Sequence, residues 1–178
     1  MSVYEFSIIA SGLNPQAEDF ETRFYDAGCD DATIAFQKGH IIVDFAREAP
    51  SIEEAISSAV ENVLSTGATI DRVEPDPLVS LSDIAARSNM TRAAISLYAK
   101  GERGKGFPAP AARVTTDSPL WDWSKVAAWL YRHDRLSWDD AIAAVAVSEA
   151  NAVISSGGKV VVNALRERVS RYQADLVA

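Results

Sequence analysis

The 178 residues are 48% hydrophobic and 24% charged, an ordinary balance for a folded chain with room for two compact units. No run approaches the ~18 apolar residues of a membrane span, residues 1–12 lack the pattern of an export signal, and the single cysteine, Cys29, excludes an internal disulfide; no membrane partner and a reducing, cytoplasmic location are expected. The formal net charge of -8 argues against nucleic acid only if it is evenly spread, and it is not: residues 1–77 hold 4 Lys+Arg against 15 Asp+Glu, residues 78–133 hold 8 against 4, and residues 134–178 hold 5 against 6.

In chain order, residues 3–10 are rich in Val, Tyr, Phe and Ile and predict a strand. Asn14 and Pro15 predict a helix start, with Asn14 as cap and Pro15 where no N–H donor is needed. Phe20, Phe24 and Tyr25 recur at helical spacing, and Gly28 ends the segment. Residues 32–37 and 40–45 predict two strands joined at Lys38-Gly39. Ser51 and Glu54 predict a capping box opening a helix whose buried stripe is Ile56, Val60, Val63 and Leu64, with Gly67 closing it. Residues 69–74 predict a last strand. This order is that of a split βαβ, or ferredoxin-like, domain over residues 1–77. Glu74-Pro75-Asp76-Pro77 forms a stiff polar boundary. A protein partner, a small-molecule effector and dimerisation are all compatible with such a domain, and fold alone does not choose among them.

Ser80 predicts the cap of a short helix carrying Leu81, Ile84 and Ala85. Ser88-Asn89-Met90 predicts a turn, and Asn89 tolerates the left-handed backbone that such a turn needs. Thr91 opens a second helix, with Ile95 and Tyr98 facing inward until Gly101 stops it. The small Ala85 lets the two helices touch, and Ile84, Met90, Ile95 and Tyr98 lock them. Gly104-Lys105-Gly106-Phe107-Pro108-Ala109-Pro110 follows, then a predicted strand at Ser118-Pro119-Leu120-Trp121 and a helix capped by Ser124. Trp121, Val126, Trp129 and Leu130 fit the spacing W-x-x-x-x-V-x-x-W-L, and Trp121, Trp123 and Trp129 are expected in the core.

On these residues, the stretch 79–132 resembles the winged helix-turn-helix of excisionase-type and MerR-like regulators. In those families the recognition helix runs through an FP-x-P segment into a β-hairpin wing, and an aromatic strand leads into the next helix. The chain departs from the pattern at Asn89, where glycine is commoner, and at Asp122, where a basic residue suits DNA better. The resemblance implies a domain over residues 78–135 that binds double-stranded DNA as a transcriptional regulator. The second helix would enter the major groove. Thr91, Arg92, Ala93, Ser96 and Lys100 lie off its inner face, and Arg92 can bond guanine bidentately. Lys100, Arg103 and Lys105 would meet phosphates, and Arg113, near the wing tip, phosphate or the minor groove.

In the tail, Ser137 and Asp140 predict the cap of a helix with Trp138, Ala141, Ile142, Val145 and Ile154 inward. Gly157-Gly158 breaks it, and Val160, Val161, Leu165, Val169 and Tyr172 form a second stripe. A helical hairpin over residues 136–178 is expected, packing on the rest of the chain or on a second copy. A homodimer would place paired recognition helices ~34 Å apart.

Nothing in the sequence composes an active site, and neither an enzymatic activity nor a cofactor is expected. His40 and His133 fall outside metal-ligand spacing, Cys29 has no basic neighbour in sequence, and Asp30-Asp31 reads as a hydrophilic turn. The glycine-rich segments at 101–106 and 157–160 lack the spacing of a phosphate loop. The chain therefore reads as α+β: a ferredoxin-like domain, a central winged helix-turn-helix and a C-terminal helical hairpin. Two other readings stay open: an antitoxin-like autorepressor whose acidic first domain neutralises a partner protein, and an adaptor using the same scaffold without DNA.

Overall fold

The structure, a computed structural model, describes residues 1–178. It is mixed α+β with seven helices and an antiparallel sheet, and no helix is long and apolar enough to cross a membrane. The chain divides into two compact units, residues 1–75 with 146–171 and residues 76–145 with 172–178. The break falls inside the Glu74-Pro75-Asp76-Pro77 segment. The segment 136–178 does not form a third unit but is shared between the two. Two helices alone bury too little apolar surface to hold their own fold, so each part takes its core from a larger neighbour.

In the first unit, β1 (Ser2–Ser11), α1 (Phe20–Asp26), β2 (Ala32–Gln37), β3 (His40–Ala49), α2 (Ile52–Ser65) and β4 (Thr69–Glu74) follow one another. The strands lie in the order β2-β3-β1-β4, and every neighbouring pair is antiparallel. Period-two alternation sends Phe6 and Ile8 of β1, and Ile41, Val43 and Phe45 of β3, into the core with Ile56, Val60 and Val63 of α2. Phe6 and Phe45, directly opposite in register, stack at 5.4 Å. The β2–β3 turn has positive φ at both Lys38 (52°) and Gly39 (82°), as a two-residue hairpin of right-handed strands requires.

Three expectations for this unit are corrected. The first helix begins at Phe20 rather than Asn14. The Asn14 side chain accepts from Gln16 N at 2.9 Å, and Ala17 N and Phe20 N close successive three-residue turns, so local bonds displace the helix start. Ser51 does cap α2, accepting from Glu54 N at 3.3 Å, but the Glu54 carboxylate meets Arg166 at 2.5 Å instead of completing a box. Leu64 is 45% exposed and lies outside the buried stripe.

The second unit opens with β5 (Leu78–Val79), α3 (Leu81–Ser88) and α4 (Arg92–Ala99), then β6 (Trp121–Asp122) and α5 (Trp123–Arg132). Ser80 and Asp83 form a reciprocal capping box, and the bonds from Ser80 hold the Asp83 carboxyl below its ordinary range. Asn89 takes the left-handed conformation (φ 54°, ψ 38°), and Thr91 caps α4 by accepting from Ala94 N at 3.1 Å. Asn89→Ala is expected to cost about 1 kcal/mol, because alanine lacks the side-chain bonding that eases this backbone. All four tryptophans (Trp121, Trp123, Trp129 and Trp138) belong to this unit, so thermal unfolding followed by their fluorescence would measure the cost.

Ile84, Ala85, Ile95, Tyr98, Trp121, Trp123, Val126, Trp129 and Leu130 are buried in one cluster, with Met90 and Phe107 partly buried against it. Two expectations change here. The hairpin wing does not form a strand ladder: residues 111 and 112 bond only to Leu120, and the strand expected over 118–121 shrinks to β6, paired with β5. Pro108, Pro110 and Pro119 supply no N–H to a ladder. The cap of α5 is Asp122, not Ser124; its carboxylate accepts from Ser124 N at 2.9 Å and Ser124 Oγ at 2.6 Å. The acidic Asp122 thus has a structural task at a helix N-terminus.

The last helices are α6 (Trp138–Ser155) and α7 (Val162–Val177), with Gly157 at φ 75° between them. Ser137 Oγ accepts from Asp140 N at 3.1 Å at the start of α6. Leu165 and Val169 of α7 are buried, whereas Val161 precedes the helix at 50% exposure and Tyr172 is 44% exposed, so neither belongs to the stripe. Asn151 of α6 performs a task no periodicity reveals. Its amide accepts from Val73 N at 2.8 Å and donates to Val73 O at 2.9 Å, occupying the outer edge of β4 as a further strand would.

Candidate nucleic-acid interface

Helix α4 owes its position to its inner face. Ile95 and Tyr98 are fully or almost fully buried, one turn apart, against Ile84 and Ala85 of α3. That fixes what remains outside. Arg92, Ala93 and Lys100 are exposed and Ser96 is half-buried, which leaves most of the expected reading face open. Thr91 is exposed too, but its oxygen already caps the helix, which leaves the hydroxyl proton free to donate. One residue on this face was missed. Leu97 is 37% exposed between Ala93 and Lys100; the same 3.6-residue spacing that marked its neighbours would have found it, had apolar character not suggested the core.

The loop after α4 is fixed by aromatic rings rather than by a ladder. Trp129 Nε1 donates to Lys105 O at 2.9 Å, and Trp121 Nε1 donates to Pro108 O at 3.0 Å. Gly104 has φ 71°, and a Cβ there would sit 3.1 Å from the Trp129 ring, so glycine allows the loop to lie against the indole. Arg103 is exposed with its guanidinium over the Tyr98 ring at 5.5 Å, which ties it to the inner face of α4. Lys105 is exposed with its backbone anchored through Trp129. The structure thus links Arg92, Ser96, Lys100, Arg103 and Lys105 to one helix and the loop that follows it.

Arg113 stands apart. It is exposed at φ 54°, and its carbonyl accepts from Thr116 N and Thr116 Oγ1, so its bonds are local to the 113–116 turn. Arg87, on α3, donates to Asp76 O at 3.0 Å and lies over Trp123 at 5.3 Å. From 91 to 113 the chain carries five basic residues and one acidic residue, Glu102. A duplex phosphate within a Debye length of ~10 Å of these residues would feel that local surplus more than the net charge of the whole chain.

The Cys29 thiol is 2% exposed, and burial pushes its pKa up to about 11, away from thiolate chemistry. Asp31 is held by Arg47. His40 is exposed, 3.6 Å from Asp71, and His133 stacks on Trp129 at 3.7 Å. No group of His, Cys, Asp and Glu is arranged to hold a metal ion. No protein-family model, curated protein or solved structure matches the chain.

Proposed function

We propose that the second unit binds double-stranded DNA by placing α4 in the major groove, and that the chain is a sequence-specific transcriptional regulator acting in the cytoplasm. The observation that carries this reading is the exposed Arg92 and Lys100 on the outer face of α4, with Ser96 half-buried between them, beside a loop pinned with Arg103 and Lys105 exposed. An α-helix with its side chains is about 10–12 Å across, which matches the ~12 Å width of the major groove. The left-handed turn at Asn89 and the buried Ile84, Ala85, Ile95 and Tyr98 support a helix-turn-helix, and the loop over 101–120 takes the place of a wing. The antiparallel order β2-β3-β1-β4, with a helix crossing after β1 and another after β3, supports reading the first unit as ferredoxin-like.

Two variants of the full chain test the proposal. The full chain is needed because Ala144, beyond the stretch 78–135, belongs to the core of this unit. Duplexes selected from a random pool by the wild-type chain would be compared with mismatched duplexes across a salt series. Arg92→Ala is expected to reduce discrimination at one base position by about 5- to 150-fold, the loss of a bidentate contact of ~1–3 kcal/mol. Lys105→Ala is expected to weaken all duplexes alike and to make the log–log salt slope shallower by about one unit. A chain that binds no duplex at low salt overturns the proposal and favours a protein adaptor. Two variants indistinguishable from wild type overturn the residue assignment.

A further inference from the structure

The sheet of the first unit treats its two edges differently. The β4 edge is occupied by the Asn151 amide. At the other edge, β2 reads Ala-Thr-Ile-Ala-Phe-Gln and carries no charge, proline or bulge, the devices by which an edge strand is normally shielded from pairing. We infer that β2 pairs antiparallel with β2 of a second copy of this chain, joining two four-stranded sheets into one of eight strands.

The register follows from the backbone. Ala46 N donates to Asp31 O in the β2–β3 ladder, and Gln37 pairs with His40 beside the two-residue turn. Odd-numbered residues of β2 therefore bond to β3, and the N–H and C=O groups of Ile34 and Phe36 point away from the sheet. Ala32 shares that parity, but its N–H already donates to Cys29 O. Ile34 and Phe36 are the two residues with both groups free, and a two-fold axis at Ala35 pairs each with the other across the copies. The apolar side chains agree. Phe36 is 48% exposed, Ile34 is half-buried, and Tyr25 of α1, which lines a depression shared with Ile34, is 66% exposed. Pairing sets Phe36 beside the partner's Ile34 twice over, on the face that carries Tyr25. Charge agrees as well: the same axis brings the exposed Lys38 of one copy to the exposed Asp30 of the other. The surface does not depend on DNA binding by the second unit.

The test is the mass of the full chain in solution. Sedimentation or light scattering across a concentration series is expected to give twice 19.2 kDa for the wild type. Phe36→Lys, at a half-exposed position, should return a single-chain mass with an unchanged far-ultraviolet spectrum. Ala35→Cys places two thiols opposite one another at the axis, within ~5.5 Å Cβ to Cβ, and should form an intermolecular disulfide under mild oxidation. Gln37→Cys should not, since its counterparts lie four residues out of register. The cysteine pair keeps the test decisive if Phe36→Lys fails to fold, and buried Cys29 does not compete. A monomeric wild type, a dimer unmoved by Phe36→Lys, or equal cross-linking at positions 35 and 37 overturns the inference.

Discussion

Trp129→Ala is expected to lower the stability of the second unit by about 3–5 kcal/mol, the range for emptying a buried aromatic site. Trp129 is 6% exposed and holds four neighbours at once. Its ring meets Tyr98 edge-on at 4.9 Å and Phe107 at 5.1 Å, and stacks with His133 at 3.7 Å. Its Nε1 donates to Lys105 O. Alanine removes the partner of the inner face of α4 and the anchor of the basic loop together. Fluorescence of the remaining tryptophans during urea unfolding would show the midpoint fall. Trp129→Phe separates the two roles. It restores most of the ring contact but not the donor, so stability should largely return while the loop loses its tether. Duplex binding should then weaken in the manner of Lys105→Ala. A Trp129→Ala chain that unfolds at the wild-type midpoint would show that the aromatic cluster does not hold this unit together.

The parts of this structure that were legible in the sequence are those fixed by a residue and its near neighbours. The Ser80 cap, the left-handed Asn89 and the start of α4 at Thr91 are all local backbone chemistry, and each forms where composition places it. The Lys38-Gly39 turn and the strands on either side of it are equally local. Where two local solutions compete, the sequence misleads. Asn14 can cap a helix or close a turn on Gln16, and the turn wins. The wing shrinks to one bridge, Ala112 with Leu120, because Pro108 and Pro110 at its entry and Pro119 within the expected strand remove the donors a ladder needs. Long-range partners stay hidden. Glu54 looked committed to Ser51, three residues away, but bonds Arg166, 112 residues away. Asn151 gave no sign of meeting Val73. On α4, spacing alone sufficed to place Arg92 and Lys100 at the surface. Leu97 was passed over because an apolar residue on a short helix is ordinarily core, and Arg113 rested on a wing that is reduced to the Ala112–Leu120 bridge.

Arg47→Ala is expected to have the largest effect in the first unit, about 3–5 kcal/mol, because it strands the buried partners of a charged group. The Arg47 side chain is 9% exposed. Nε and Nη2 meet the two Asp31 oxygens at 2.8 Å each, Nη2 also donates to Gly28 O at 2.8 Å, and Nη1 donates to Asn62 Oδ1 at 2.8 Å and Ser58 Oγ at 3.1 Å. These five bonds engage all three guanidinium nitrogens, and the plane lies over Phe45 at 4.7 Å. One side chain on β3 thereby ties the residues ahead of β2 to two positions on α2. Arg47→Lys distinguishes geometry from charge. An ammonium keeps the attraction to Asp31 but cannot reach five acceptors in a plane, so most of the loss should persist. Urea unfolding followed by far-ultraviolet circular dichroism would measure both variants. A lysine variant as stable as wild type would mean that charge alone suffices. Since Asp31 leads directly into β2, Arg47→Lys should also loosen the edge strand. Its dimer, if β2 is the interface, should dissociate at a higher concentration than that of the wild type.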